Sequence, residues 1–597
     1  MITNTNCRTP SNNGRPSLSA CMIVKNEEKF LAQCLKSIRD AVDEIIIVDT
    51  GSTDRTVEIA QSFGAKVYHH PWRNSFSEAR NHSLSYATCD WILQIDADEA
   101  LDQADIPLLH KLIQTDSYNA VYVAIYSDLP GGQSKHYYTR VFRRGKAHFE
   151  GIVHNQLILD GNALPSEIRF YHYGYNLSND EMQKKYKRTG DLLRKQLIEN
   201  PNDIFALANL IRNYRNEYNF EKVIELGEKG LSIPVSQTDA DSRNQRLRIY
   251  VDLAYALLNT NQLDRAEEIC KEAIHENPDS LDILYVMGDI LSRKEEFDNA
   301  INCFKKYILT KGKESRNPTC NLRIVDTYYY EHKAYNNIGE CYNRLGLINK
   351  AELAYQKAVE LNNKEPLYYT NLAHLYASQH RFQEVENIAN TAVILGIANH
   401  PLYLLLGKAQ VMQGKTDEAI TTFKQFIQKS RNDLNAHIFL VNLLLQTNQV
   451  KEAEETLKAI SSSNPNNLEL KCLTERIKFK NGDKESAIKF IQNTLHSNPT
   501  DTNTYLKLGN LCIEIEDYTL AIELQERYLG ISPGDANVIA NIATCYARLG
   551  KLESAIIGLK AALKLDPACH YASQNLIILE KKFKKQSAAN IKYEITA

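Results

Sequence analysis

Residues 91–98 read Trp-Ile-Leu-Gln-Ile-Asp-Ala-Asp, an apolar run that ends in two aspartates one residue apart. The run has the length and composition of a buried strand, so Asp96 and Asp98 are predicted at its carboxyl end. In parallel α/β sheets, ligands bind outside the carboxyl ends of the strands. A divalent cation held there by one or two carboxylates completes its shell with substrate phosphates. The pair therefore predicts a metal site, although a lone Asp-x-Asp is also common among ordinary solvated loop residues.

Three further apolar runs precede this strand and alternate with stretches of helical periodicity. The runs lie at 19–24, 44–48 and 65–68, and a glycine, Gly51, follows the second of them. Strands that alternate with helices favour right-handed crossovers and a largely parallel sheet. The N-terminal part of the chain is therefore predicted to be an α/β domain.

Seven short motifs follow one another along this part of the chain. They read Met-Ile-Val-Lys-Asn-Glu-Glu at 22–28, Val-Asp-Thr-Gly-Ser-Thr-Asp at 48–54, Phe-Ser-Glu-Ala-Arg-Asn at 76–81, Gln-Ile-Asp-Ala-Asp-Glu at 94–99, Arg-Val-Phe-Arg at 140–143, Phe-Glu-Gly-Ile-Val-His at 149–154 and Tyr-His-Tyr-Gly at 171–174. In this order they resemble a family 2 glycosyltransferase. The resemblance implies a GT-A fold with a Rossmann-like, mostly parallel sheet, and a hexosyltransferase type of enzyme that uses a nucleotide-sugar donor, a UDP-sugar above all.

The resemblance also implies which residues bind the donor. The backbone at Ile23 and Val24, together with Asp49, would hold the nucleoside. Arg80 would contact a phosphate oxygen, and Lys25 would share that task unless it is an ordinary solvated lysine.

The same resemblance implies a metal site for Mn²⁺ or Mg²⁺. Asp96 and Asp98 would hold the cation across the diphosphate, so Asp96 also belongs to the donor site, and His172 would be a late metal ligand. Displacing a nucleoside diphosphate leaves growing negative charge on the leaving oxygen, which a metal and a cationic side chain stabilise. The alternative for His172 is a half-buried, hydrogen-bonded histidine.

The general base is less well defined by the sequence. An inverting transfer needs a carboxylate or imidazole within hydrogen-bond reach of the acceptor nucleophile. Relatives are expected to carry His-Glu where this chain has His154 followed by Asn155, and an asparagine cannot act as a base. The role would then fall to Glu150, Glu99 or His154, or the domain would be inactive.

A second interpretation follows from Asn155: an interaction scaffold with a degenerate, non-catalytic transferase domain. The presence of Asp49, Asp96 and Asp98 argues against it. A sugar nucleotidyltransferase would need a glycine-rich loop after the first strand, where residues 25–28 read Lys-Asn-Glu-Glu instead.

From about residue 204 the chain becomes a repeat. Small or apolar residues recur at Ala266, Ala300, Ala351, Val385, Ala419, Ala453, Ala487, Ala521 and Ala555. Their spacing is 34 residues, once 51, and then 34 again throughout. A second series, which includes Gly288, Gly339, Gly407 and Gly509, runs in step with the first. This is the tetratricopeptide period, and it predicts an all-α superhelical solenoid of about ten repeats with an insertion near 311–332.

Such arrays bind extended peptides or helices in their concave groove, so a protein or peptide partner is expected, and the array is also a possible oligomerisation surface. Three adjacent tyrosines, 328–330, lie in the insertion and away from the repeat packing positions. The formal charge of −3 gives no reason to expect nucleic acid as a partner.

Apolar runs long enough to span a bilayer are missing from the sequence, and its twelve cysteines lack metal or disulfide spacing, so a cytoplasmic protein is expected. The predicted organisation is a disordered tail at 1–17, the transferase domain at 18–175, a helical linker at 176–203, the repeat array at 204–583 and a tail at 584–597.

Overall fold

The computed structural model describes residues 15–73, 75–129, 132–151, 156–174, 179–236, 239–314, 325–497, 499 and 501–596. The chain divides into two compact units, Met1–Asn371 and Leu372–Ala597. The first unit holds an α/β domain and the first helical repeats, and the second continues the repeats.

The α/β domain is built on one eight-stranded sheet with the strand order β3-β2-β1-β4-β7-β6-β10-β5, and on a separate β8-β9 pair. Its elements are β1 (Leu18–Val24), α1 (Leu31–Ile38), β2 (Glu44–Asp49), α2 (Thr56–Ser62), β3 (Lys66–His69), α3 (Phe76–Ser85), β4 (Trp91–Gln94), β5 (Glu99–Leu101), α4 (Ile106–Leu112), β6 (Ala120–Leu129), β7 (Gly132–Arg143), β8 (Ala147–Glu150), β9 (Gln156–Leu159) and β10 (Ala163–His172). Strands β1 to β4 pair in parallel, whereas β7 runs antiparallel to β4 and β6. The predicted α/β fold with a mostly parallel sheet is confirmed.

The sheet buries apolar side chains on both faces, which explains the nearly continuous apolar runs of β1, β2 and β4. Parallel pairing of β1 with β2 places Val24 beside Asp49, and pairing with β4 places Cys21 beside Gln94. The polar residues that follow these strands therefore lie at one edge of the sheet.

Two contacts bring other elements to this edge. Strand β5 pairs antiparallel with β10, so that Glu99 lies opposite His172. The Asn81 side chain of α3 makes two hydrogen bonds to the Phe149 backbone, with Nδ2 donating to the carbonyl at 2.8 Å and Oδ1 accepting from N–H at 2.7 Å. These bonds fix β8 to α3.

Helix α5 (Asn179–Glu199) occupies most of the predicted linker and leads into the repeats. Within the described ranges, ten helix pairs follow and then a final helix. They are α6 (Ile204–Asn216), α7 (Phe220–Ser232), α8 (Ala240–Asn259), α9 (Leu263–Glu276), α10 (Leu281–Arg293), α11 (Phe297–Glu314), α12 (Glu331–Arg344), α13 (Ile348–Leu361), α14 (Pro366–Ser378), α15 (Phe382–Ile394), α16 (His400–Met412), α17 (Thr416–Lys429), α18 (Leu434–Gln446), α19 (Val450–Ser461), α20 (Leu468–Lys480), α21 (Lys484–His496), α22 (Thr502–Glu514), α23 (Tyr518–Ile531), α24 (Ala536–Arg548), α25 (Leu552–Leu565) and α26 (His570–Thr596).

The repeat glycines lie where two helices touch. A Cβ atom added at Gly288 would come 2.6 Å from Phe304, and one added at Gly407 would come 2.5 Å from Phe423. In both pairs the aromatic residue follows the glycine by the same sixteen positions. The small residue is therefore required so that the ring of the second helix can pack on the first.

Two parts of the repeat region differ from simple periodicity. Helix α11 is lengthened to eighteen residues, and the described part of the insertion resumes at 325, directly before α12. At the other end, the sequence predicts a tail at 584–597, whereas α26 continues to Thr596. Among the helices of the described residues, none combines the length and apolarity needed to cross a membrane.

Candidate active site

Asp49 is the last residue of β2, and its carboxylate organises the loop that follows. It is buried, with 4% of its surface exposed. It accepts hydrogen bonds from the backbone N–H groups of Ser52 at 3.0 Å and Gly51 at 3.2 Å. Gly51 has a φ of 111°, which favours glycine in this turn. The nucleoside-binding residue implied by the resemblance is thus held rigidly beside Val24.

The loop after β1 is joined to the loop after β2. Asn26 has a φ of 57°, and its backbone N–H donates to Ser52 Oγ at 3.0 Å. Its side-chain Oδ1 accepts from the Thr53 backbone N–H at 2.7 Å. The predicted donor-binding backbone at Ile23 therefore continues into a well-connected loop, on which Lys25 is exposed.

Asp96 is held by two arginines. Arg80 of α3 donates from Nη2 to Oδ1 at 2.6 Å, and Arg140 of β7 donates from Nη2 to Oδ2 at 3.0 Å. Gln94 Nε2 also donates to Oδ1 at 3.0 Å. Arg140 reaches further to the Glu99 carboxylate and to Gln94 Oε1. The structure thus pairs Arg80 with Asp96, whereas the resemblance implies that Arg80 contacts a donor phosphate and Asp96 holds the metal.

The charged groups of this cluster shift one another's pKa values. Burial alone would raise the pKa of the Asp96 carboxyl, but the Arg80 and Arg140 guanidinium groups outweigh it and hold this pKa well below its usual range. Burial raises the pKa of the Glu99 carboxyl, against the opposing effect of Arg140. Asp96 is therefore ionised at neutral pH, and its charge is matched by cations already present.

Asp98 lies in a different environment, beside the end of β10. Its Oδ2 is 3.1 Å from His172 Nε2, and Ser127 Oγ is 3.3 Å from the other ring nitrogen, Nδ1. The Asp98 carbonyl accepts from the Tyr173 backbone N–H at 2.8 Å. A Cβ atom added at Gly174 would lie 1.9 Å from Asp98 Oδ2, so any larger residue at 174 would displace this carboxylate.

Asp98 and His172 are suited to a divalent cation. They offer a carboxylate oxygen and an imidazole nitrogen close together, and 23% of the Asp98 side chain and 17% of the His172 side chain are exposed. Within the ranges that the structure describes, three or more His, Cys, Asp or Glu side chains do not converge on one point. Two protein ligands fit the coordination mode in which substrate phosphates complete the shell.

Two of the three predicted general-base candidates, Glu99 and Glu150, lie within the described residues. Glu99 is 3% exposed and accepts from the Asp96 backbone N–H at 3.1 Å, as a member of the buried cluster. Glu150 ends β8, with 63% of its side chain exposed, and lies 3.0 Å from His148 Nε2. His154 and Asn155 lie outside the described residues.

Arg140 is the site residue that sequence reasoning did not assign. It belongs to the Arg-Val-Phe-Arg motif, but its role depends on the pairing of β7 with β4 and on its side-chain contact with Gln94 at the end of β4. The only local signal is that Arg140 is followed by the apolar pair Val141 and Phe142, and a buried arginine needs an acceptor.

Family models match both parts of the chain. Residues 19–177 match the profile of the family described as Glycosyl transferase family 2. Tetratricopeptide repeat profiles match residues 247–280, 281–312, 332–365, 410–477, 476–536 and 536–569.

Curated relatives are similar over about a third of the chain. A TPR repeat-containing protein from Synechococcus elongatus, Synpcc7942_0270, is 34% identical over 209 residues, which cover 32% of this chain and 51% of that protein. The SPbeta prophage-derived glycosyltransferase SunS of Bacillus subtilis is 32% identical over 206 residues, which cover 32% of this chain and 48% of that protein.

A third relative, the lipopolysaccharide core biosynthesis glycosyltransferase LpsC of Rhizobium meliloti, is 29% identical over 196 residues, which cover 30% of this chain and 72% of that protein. The chain spans about half the length of the first two relatives.

Proposed function

We propose that this chain, whose residues 19–177 form a family 2 glycosyltransferase domain followed by tetratricopeptide repeats, transfers a sugar from a nucleotide-sugar donor to an acceptor with inversion at the anomeric carbon. The observation that carries the proposal is the Asp98–His172 pair, 3.1 Å apart at the sheet edge where ligands of α/β domains bind. A UDP-sugar is the donor favoured by the family resemblance.

Asp98 and His172 would hold Mn²⁺ or Mg²⁺ at this edge. The cation, when bound, neutralises the donor diphosphate and the charge that grows on its leaving oxygen. Asp96 has another role in this proposal: it fixes the guanidinium groups of Arg80 and Arg140 at the same edge. Their remaining N–H groups add positive charge where the leaving group departs.

Glu150 is the base candidate that this proposal retains. Direct displacement at the anomeric carbon requires a group that takes the proton of the acceptor nucleophile. Glu99 is occupied by Arg140, whereas Glu150 is accessible and its strand neighbour Phe149 lies under Arg80, with the guanidinium carbon 5.3 Å from the ring centre. The glutamate is therefore carried by a strand that touches the donor site.

The repeats would recruit a protein or peptide that is the acceptor or accompanies it. A cytoplasmic location fits the cysteines, because the ten in the described residues are free thiols and most of them are buried.

The proposal is tested by thermal-shift measurements with nucleoside diphosphates and nucleotide sugars, with and without Mn²⁺. A ligand at about 100 times its dissociation constant stabilises the folded site by about 2.7 kcal/mol. We expect a metal-dependent shift with one nucleotide in the wild type and its loss in Asp98→Asn. Asp160→Asn is the matched control, because this carboxylate pairs with Lys146 on the surface of the same domain.

A second candidate is an interaction scaffold with an inactive transferase domain. The engagement of both Asp96 carboxylate oxygens by arginines favours it, because the first aspartate of the pair is then not available to a metal. If neither a nucleotide nor Mn²⁺ shifts the unfolding temperature, the enzyme proposal would be contradicted and the interaction scaffold would remain as the candidate function.

A further inference from the structure

An open groove lies on the repeats between α11 and α13, within the first of the two compact units. Its volume is about 590 Å³, inside the range of about 300–1,000 Å³ that ligand sites occupy. The floor includes Ile338 of α12, which is 3% exposed, and Ala354 of α13 is buried beside it. The groove therefore runs between the second helices of two successive repeats.

The walls of the groove expose apolar side chains. Leu309 of α11 is 66% exposed and Leu353 of α13 is 68% exposed. Leu353 follows the repeat marker Ala351 by two positions. At this position the other repeats carry polar residues in all but one case: Glu268, Asn302, Asn387, Thr421, Glu455, Lys489, Glu523 and Ile557. A leucine in place of the usual polar residue indicates a contact surface.

Three lysines border the groove, and none of the described residues that line it is acidic. Lys305 Nζ donates to the Tyr342 hydroxyl at 2.9 Å. The Nζ atoms of Lys305 and Lys350 each lie 5.6 Å from the centre of the Tyr342 ring. The third lysine, Lys357, forms an exposed pair with Glu360 at 2.7 Å. Two ammonium groups thus gather around a neutral phenol, where they attract an acidic group of a partner.

The spacing of the lining residues indicates the kind of partner that fits. On α13 these residues are Lys350, Leu353, Ala354 and Lys357, which lie on one stripe of the helix. Seven residues of helix rise about 10 Å, so the groove accommodates about two turns of a second helix. An apolar stripe with a lysine at each end is complementary to a helix that has an apolar face flanked by carboxylates.

The exposed leucines favour a protein over a small amphiphilic molecule. An acyl chain inside the groove would leave the outer surfaces of Leu309 and Leu353 in water, whereas a helix that lies across both walls covers them. A second copy of the chain is disfavoured by charge. A two-fold contact joins one surface to itself, so it would place the lysines of one copy opposite those of the other.

The insertion of the same chain is also a poor match for the groove. Residues 315–324 include two arginines and no acidic residue, so their charge has the same sign as that of the lysines. Where the structure describes the insertion again, Asp326 pairs with Arg212 of α6 at 2.9 Å and lies 3.3 Å from Arg215. These pairs fix the end of the insertion to α6, which does not line the groove.

We propose that the groove between α11 and α13 binds an acidic amphipathic helix of another protein. The apolar face of this helix lies between Leu309 and Leu353, and its carboxylates pair with Lys305 and Lys350. The docking surface does not depend on the transferase proposal. Only the identification of this partner with one that serves sugar transfer rests on the proposed function.

The test measures binding of fluorescein-labelled helical peptides to the full chain by fluorescence anisotropy. The peptides have about 16 residues, above the length at which isolated helices are marginal. One has leucines on one face and glutamates beside them, the second has lysines in place of the glutamates, and the third has alanines in place of the leucines. We expect the wild type to bind the first peptide at least tenfold more tightly than the others, because burial of a leucine alone contributes about that factor.

Leu353→Asn introduces the residue that two other repeats carry at this position, and it should weaken binding of the glutamate–leucine peptide at least tenfold. Ile557→Asn is the matched control, because Ile557 occupies the same position in another repeat and is 69% exposed. It should leave binding unchanged. Lys350→Glu should weaken binding of the glutamate peptide and strengthen binding of the lysine peptide, whereas the same change at the exposed Lys451 of α19 should affect neither.

Three results would overturn the inference: no peptide binding to the wild type, equal binding of the glutamate and lysine peptides, or equal losses in Leu353→Asn and Ile557→Asn. Binding of dodecanoate that is lost in Leu353→Asn, without binding of any peptide, would assign the groove to an acyl chain instead. A wild-type dimer that Leu353→Asn dissociates in analytical ultracentrifugation would assign it to a second copy.

The outcome is separate from that of the nucleotide panel. Leu353→Asn should leave the nucleotide-dependent thermal shift unchanged, because Leu353 lies on a repeat helix. Peptide binding through Leu353 together with a silent nucleotide panel would keep the docking surface and remove the transferase proposal. The reverse result would keep the transferase and remove the docking surface.

Discussion

Arg140 is the residue on which the candidate site depends. One guanidinium, with 11% of its side chain exposed, contacts the Asp96 and Glu99 carboxylates and Gln94 Oε1. Two carboxylates so close would repel each other without it.

Arg140→Gln is expected to destabilise the transferase domain by about 3–5 kcal/mol, because removing one partner leaves buried charges without compensation. Urea unfolding followed by tryptophan fluorescence measures this. Arg55→Gln is the control, since its pair with Glu58 is 70% and 67% exposed and should contribute little to stability. Equal losses in the two variants would contradict the role of Arg140.

Glu150→Gln is expected to lower kcat by about 10²–10⁴-fold, the usual contribution of a general base. Nucleotide binding should be unchanged, because the Glu150 side chain points to solvent and its hydrogen-bonding partner is His148. Transfer assays at saturating donor, with thermal shifts for donor binding, provide the measurement. Wild-type kcat in the variant would remove Glu150 from the mechanism.

At the scale of elements, the repeat helices are defined by small residues that allow close contact. The contact of Gly407 on α16 with Phe423 on α17 recurs as Gly339 with Tyr355, where an added Cβ would lie 2.7 Å from the ring. Gly509 faces the flexible Gln525 side chain instead, at 2.8 Å. The repeat thus conserves a geometry rather than one residue pair.

Gly407→Ala is expected to destabilise its helix pair by about 1–3 kcal/mol, the range for overpacking in a well-packed core. Gly530→Ala is the matched control, because this glycine of α23 has open space around it, and alanine should gain up to about 1 kcal/mol of helix propensity. Thermal unfolding followed by circular dichroism at 222 nm should show opposite shifts. A stabilising Gly407→Ala would disprove the close contact.

Which segments form strands and helices could be predicted from the sequence, but which side chains contact one another could not. Periodicity alone predicts β1, β2, β4 and the repeat helices, because each buries a face whose pattern is local. Asp96 and Asp98 were predicted as one metal pair, and the structure gives them different partners, Arg140 from β7 and His172 from β10, because no local pattern specifies the registers of those strands. The insertion was located by its broken period, and its contact with Arg212 depends on tertiary structure.

At the scale of the whole molecule, two spectroscopic signals report on different regions. The chain has two tryptophans, Trp72 and Trp91, and both lie in the transferase domain. Trp91 is fully buried, so its fluorescence changes on unfolding. The helical signal comes mostly from the repeats, which occupy the larger part of the chain.

Fluorescence and circular dichroism are expected to give different urea midpoints, because repeat arrays unfold through nearest-neighbour contacts and long chains depart from two-state behaviour. A bound nucleotide with Mn²⁺ should move the fluorescence midpoint and leave the later part of the helical transition in place. Coincident midpoints that move together would instead mean that the whole chain unfolds as one unit.

The ion pairs of Asp326 with Arg212 and Arg215 have a consequence for how this chain can change over generations. Duplication or deletion of a 34-residue block between α6 and α11 would shift the insertion by one repeat and separate Asp326 from its arginines. A block gained or lost beyond α15 would leave these contacts intact. We therefore expect length variation among descendants of this architecture to be concentrated in the distal repeats, while the proximal three remain constant in number.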